Sequence, residues 1–117
     1  MQPDDRDAAY LWDMLEAARL IEEFTAGVRF DQYARDRKLQ LAIERALEII
    51  GEAARCISDR FKDAHPQIPW RMIVAQRNVI AHEYGAIKQD RIWRVVAAHI
   101  PERKAQLQLV IPPPQAG

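Results

Sequence analysis

Hydrophobic positions recur at helical spacing through most of this chain, and no stretch keeps the alternation with period two that marks a strand. From about Asp5 to Phe24, Ala8, Leu11, Leu15, Ala18 and Glu22 fall on one line with Trp12 and Met14 beside it, and the early aspartates suit the positive end of a helix dipole. Gly27 supplies a stop. The stretch "VRFDQYARD" is too short and too mixed for a long helix and predicts a turn or a short helical elbow. The strongest pattern is "DRKLQLAIERALEIIGEAARCISDRF", where Leu39, Ile43, Ala46, Ile50, Ala53, Ile57 and Phe61 recur at threes and fours. Arg45, Glu48, Glu52, Arg55 and Asp59 take the opposite side, so one continuous helix is expected. Gly51 interrupts it at about 1 kcal/mol relative to alanine. It is either a tolerated surface glycine or the mark of a close approach by another helix or a partner chain.

"AHPQIP" breaks the chain, and Pro69 is expected as the first residue of a helix carrying Trp70, Ile73, Val74, Arg77 and Ile80, with Tyr84 and Gly85 near its end. A last helical region begins near Asp90, takes in Ile92, Trp93, Val95 and Val96, and is interrupted or restarted at Pro101. "IPPPQAG" reads as a frayed tail. The pattern therefore predicts an all-α fold, an antiparallel bundle of four to five helices. Residues 1–112 are expected to form one helical domain and 113–117 a flexible C-terminal tail.

Composition narrows the chemistry. A chain of 117 residues suits one core, and 17 basic residues balance 17 acidic ones. A neutral chain has no global attraction for nucleic acid or anionic lipid, so phosphate binding has to come from a local cluster. Arg35, Arg37 and Lys38 form one such cluster, and Arg55, Arg60 and Lys62 another; both read first as solvated charge that could guide RNA phosphates. The single cysteine, Cys56, has no partner for an internal disulfide and reads as a small buried hydrophobe, in keeping with a reducing compartment. No apolar run is long enough to span a bilayer, and "MQPDDRDAAY" lacks the features of an export signal, so the expected location is the cytoplasm, with no membrane partner.

One stretch resists a purely structural reading. In "RNVIAHEY", residues 77 to 84, Arg77 is centred on an apolar stripe of Ile73, Val74, Ile80 and Ala81, while Asn78 and His82 lie side by side four residues apart. Tyr84 returns to the arginine's face if the helix lasts that far. Val79 makes part of the opposite side apolar too, so this helix is expected to be covered on more than one side. A guanidinium so placed must be paired or presented in a cleft. In the structural reading Arg77 closes a salt bridge with Glu48 or Glu52, Asn78 caps the backbone, and His82 and Tyr84 simply pack. In the functional reading arginine offers a planar fork of donors to phosphate and histidine moves protons near neutral pH. That is the minimum needed to help an RNA 2′-hydroxyl attack its neighbouring phosphate. The three histidines, 65, 82 and 99, have no compact metal-ligand spacing, and no glycine-rich phosphate loop is present. Trp12, Trp70 and Trp93 read as core or interface anchors.

With "LEIIGEAA" at 47–54 and "IPWRMIVAQRN" at 68–78, the R-x4-H-x-Y arrangement of Arg77, His82 and Tyr84 resembles the small HEPN-domain proteins of the HepT type, over roughly residues 7–110. These proteins are paired with minimal nucleotidyltransferases in bacterial and archaeal type VII toxin–antitoxin systems. The resemblance implies a HEPN-like helical bundle that forms a homodimer, with motifs from both chains lining one cleft. It implies a metal-independent endoribonuclease in which Arg77 and His82 are catalytic and Asn78 and Tyr84 support RNA binding. No cofactor is implied for cleavage, and the substrate is RNA, with tRNA and mRNA both open. It further implies that Tyr84 is the acceptor of AMP, drawn from ATP by the partner nucleotidyltransferase antitoxin. Gln76 stands where relatives commonly have an apolar residue, which bears on local packing. A non-catalytic helical subunit that binds a nucleotidyltransferase or RNA is the alternative.

Overall fold

Asp4 opens the first helix by accepting the backbone N–H of Asp7 at 2.8 Å, and α1 then runs over Asp5–Thr25. The computed structural model describes residues 2–111, so the predicted tail at 113–117 lies outside the described residues. Gly27 ends α1 as expected, with φ at 72°. The elbow is a single helical turn, α2 (Phe30–Tyr33). Next come α3 (Arg37–Cys56), α4 (Asp59–Ala64), α5 (Trp70–His82), α6 (Gly85–Ala98) and α7 (Ile100–Val110).

The all-α bundle is present, but the described residues form seven helices, not four to five. The two beyond five are α2, anticipated as an elbow, and α4, cut from the long helix expected to reach Phe61. The cut has a clear cause. Ile57 and Ser58 adopt extended backbone angles, and the Ser58 hydroxyl accepts the N–H of Phe61 at 3.2 Å to cap α4. Asp7, buried on α1, fixes this turn by accepting both the N–H of Ser58 at 2.9 Å and its hydroxyl at 2.6 Å. The apolar period runs through the break undisturbed because Ile57 and Phe61 are both buried on the same core.

Two further boundaries differ from expectation. Pro69 precedes the first residue of α5, and α6 begins at Gly85 with φ at 63°, five residues before Asp90. The restart at Pro101 is found within the first turn of α7, directly after His99 ends α6.

The core lies where α1 packs on α3 and α7, α3 on α5, and α6 on α7. Leu11, Leu15, Ile21, Ile43, Ile50 and Ile92 are nearly or fully removed from solvent there. The molecule measures 42 × 31 × 19 Å, so along its thinnest direction it is about two helix diameters deep. One side of α5 consequently faces outward: Val79 is 42% exposed, and within a single chain the helix is not covered on both sides as its pattern suggested.

Candidate functional site

Gly51 is what allows α5 to lie so close to α3. A Cβ built on it would stand 2.4 Å from Cβ and 2.6 Å from Cγ of Arg77, far inside the separation at which two carbons make favourable contact. The glycine is buried against the stem of the arginine, so of its two sequence readings the close approach holds.

The stem is therefore fixed while the guanidinium remains available. Arg77 Nη2 lies 3.7 Å from Glu52 Oε2, beyond hydrogen-bond length, and Nη1 donates to Asn78 Oδ1 at 3.2 Å. The side chain is 34% exposed. Glu52 is held more tightly by Arg55, at 2.6 Å. The hydrogen bond from Arg55, opposed by slight desolvation and aided by the charges of Arg55 and Arg77, keeps the Glu52 carboxyl below its ordinary range. Of the two acids proposed from sequence, Glu52 is the weak partner, whereas Glu48 pairs with Arg45. A long ion pair at this exposure adds little stability. Arg77 opens into a cleft of about 250 Å³ whose walls include Glu44, Glu48, Ile80 and Lys88.

Asn78 and His82 are exposed on the last two turns of α5. Tyr84 leaves the helix: α5 ends at His82, and Tyr84 takes extended angles ahead of α6 with 83% of its surface exposed. The structure thus keeps Arg77, Asn78 and His82 on one element and sets Tyr84 on the following turn. There it borders a second, larger cleft of about 450 Å³, together with Phe30, Arg37 and Lys88. Lys88 is in the wall of both clefts.

Sequence reasoning missed the group that organises this region, Glu44. Its carboxylate takes Lys88 Nζ at 2.6 Å, Gln89 Nε2 at 3.2 Å and Arg37 Nη1 at 3.3 Å. Desolvation pushes its pKa up, but hydrogen bonds from Lys88 and Gln89 and the charges of Lys88 and Arg37 outweigh it and hold the carboxyl below its ordinary value. Gln89 also accepts the hydroxyl of fully buried Tyr33. Burial, reinforced by the charge of Glu44, pushes the Tyr33 phenol up, so it remains a neutral donor. Gln40 ties the turn after α2 by donating to the carbonyls of Tyr33 and Ala34 at 3.0 and 3.1 Å. The one signal available was that Glu44 shares a helical line with Gln40 and Leu47, both of which are buried.

Among the described residues, no group of three or more His, Cys, Asp or Glu side chains is placed to hold a metal ion, and no helix is long and apolar enough to cross a membrane. Cys56 is half-buried and free.

A family profile described as "Ribonuclease HepT-like" matches residues 14–110. The chain is 42% identical over 99 residues to "Probable ribonuclease HepT" of Thermococcus cleftensis, covering 85% of this chain and 90% of that protein. It is 35% identical over 102 residues to "Putative RNase MJ1380" of Methanocaldococcus jannaschii, covering 87% and 94% respectively. No solved structure gives a significant match.

Proposed function

The chain belongs to the HepT-like ribonuclease family, and from that membership and the open guanidinium of Arg77 we propose that it is a toxin endoribonuclease cleaving RNA by metal-independent transesterification. The observation that carries this reading is that Arg77 is positioned by its stem against Gly51, while among the described residues no carboxylate takes up its donors at hydrogen-bond distance.

In the proposed reaction the RNA 2′-hydroxyl attacks the adjacent phosphorus. The O2′–P bond forms and the P–O5′ bond breaks, leaving a 2′,3′-cyclic phosphate and a 5′-hydroxyl. Arg77 donates to the non-bridging oxygens as charge builds on them. Two protons move, one off the 2′-oxygen and one onto the departing 5′-oxygen, and imidazole suits either transfer. One chain offers a single such group at this place, His82, so the reaction is best served by two chains whose motifs share a cleft. Asn78 holds the guanidinium through its Oδ1.

Regulation in this reading acts at Tyr84, whose exposure suits a modified group. A minimal nucleotidyltransferase antitoxin transfers AMP from ATP: the tyrosine oxygen bonds to the α-phosphorus, pyrophosphate leaves and the phenolic proton goes to solvent. The added phosphate brings negative charge to a surface meant for RNA. Tyr84→Phe, which removes the acceptor oxygen and keeps the ring, should abolish AMP addition detected by peptide mass spectrometry after mixing with the cognate partner and ATP. Undiminished addition at another residue would refute the assignment.

The second reading, a non-catalytic subunit binding RNA or a nucleotidyltransferase, is favoured by one observation: His82 is the last residue of α5 and exposed to solvent, not enclosed in a site. Metal-free protein incubated with mixed tRNA and mRNA separates the two. The enzyme reading expects fragments ending in cyclic phosphate, and a loss of roughly 100-fold or more in rate in Arg77→Ala and in His82→Ala with folding retained. A wild type that does not cleave supports the binding subunit. Wild-type rates in both variants would show that the site lies elsewhere.

A further inference from the structure

The larger cleft has a chemistry of its own, distinct from that of Arg77. Phe30 presents a ring that is 39% exposed, and it is held from behind by aromatic neighbours, with centroids 6.5 Å from Tyr33 and 6.0 Å from Trp93. Tyr33 is in turn fixed by Gln89. A stacking surface braced in this way is already ordered before anything binds, so little conformational freedom is lost on binding. Across the cleft stand two cations. Among the described residues, Arg37 engages Gln40 and Glu44 through Nη1 alone, each at 3.3 Å, which leaves Nε and Nη2 as donors for a phosphate. Lys88 uses one contact to Glu44 and retains further N–H donors. The amides of Gln40 and Gln89 are already engaged in the network beneath, so the cleft floor is self-satisfied.

We infer that this cleft is a mononucleotide subsite, in which a base stacks on Phe30 and its phosphate is taken by Arg37 and Lys88. Its volume, about 450 Å³, is in the range of small-molecule sites and larger than a bare phosphate requires. Asp90, also in the wall, offers an acceptor to ribose hydroxyls or an exocyclic amine. Stacking on a ring tolerates any base, so the site takes nucleotides as a class. The physiological assignment rests on the ribonuclease reading: with Lys88 in both walls, a strand whose reacting phosphate meets Arg77 brings a neighbouring nucleotide to Phe30.

The test uses the full chain and three separate probes, 5′-AMP, adenosine and inorganic phosphate. Affinity is measured by calorimetry, and the site is located by amide chemical shifts of residues 30, 37 and 84–90. 5′-AMP should bind about tenfold more tightly than either fragment. Arg37→Gln should weaken 5′-AMP by about tenfold and leave adenosine unchanged, while Phe30→Leu, which keeps apolar volume but removes the ring face, should weaken both. A short oligoribonucleotide producing the same shifts assigns the site to RNA; shifts from 5′-AMP alone assign it to a free mononucleotide. Inorganic phosphate binding as tightly as 5′-AMP, shifts confined to other residues, or affinities unchanged in both variants would overturn the inference. His82→Ala separates the two proposals, since it should abolish cleavage and leave 5′-AMP binding intact. A wild type that does not cleave would end the ribonuclease reading and with it the assignment to a reacting strand, while nucleotide binding in this cleft is decided by the affinities and shifts alone.

Discussion

A methyl group at position 51 would meet the least movable part of Arg77, its Cβ, at 2.4 Å. Alanine gains about 1 kcal/mol over glycine in helix propensity. Overpacking of this kind costs about 1–3 kcal/mol, and here the overlap is with main-chain-proximal carbon that cannot swing aside. The clash should win. Gly51→Ala is expected to lower stability by up to about 2 kcal/mol in chemical denaturation and to reduce RNA cleavage further than that loss explains, because α5 must shift and carry Arg77 with it. A variant as stable and as active as the wild type would show that the approach of α3 and α5 does not set the arginine. In the sequence, Gly51 carried two readings of similar weight; only the position of α5 could decide between them. Arg77 itself was legible, because a charge centred on an apolar stripe has to be explained. Glu44 was not, since its partners Arg37, Lys88 and Gln89 come from different parts of the chain.

Among the elements, α3 and α6 are joined by a polar contact, Glu44 to Lys88 and Gln89. Because the folded carboxyl titrates below its ordinary value of 4.5, it binds protons less readily than in the unfolded chain. Its contribution to stability is therefore complete above that value and is lost as pH falls through the lower folded value. Thermal midpoints of the wild type should drop over this acid range, and Glu44→Gln should show a shallower drop starting from a lower midpoint at neutral pH. Equal slopes for the two proteins would remove Glu44 from the account. The same scale shows why boundaries escaped the sequence. Helicity was readable wherever an apolar stripe existed, as in α1 and α3. Residues 85–89 contain one large apolar side chain, Ile87, and it is exposed, so the first turn of α6 had no stripe to declare it. The break at Ser58 depends on Asp7, 51 residues away, and no local period records such a contact.

For the whole molecule, a depth of 19 Å leaves α5 with apolar residues facing water, Met72 and Val79 among them, beside a groove that Arg91 and Arg94 also line. Burying such a surface against a second copy is the expected solution. Sedimentation equilibrium at micromolar concentration should therefore give twice the chain mass of 13.5 kDa. A folded monomer there would count against a shared cleft. Lys88 has a larger consequence at this scale. One ammonium stands in the wall of two clefts, so an occupant of either alters the electrostatic work of filling the other. Thermodynamic linkage makes that influence mutual: whatever factor a nucleotide at Phe30 applies to the affinity for a phosphate at Arg77, the phosphate returns in full, and two anions drawing on the one ammonium weaken each other.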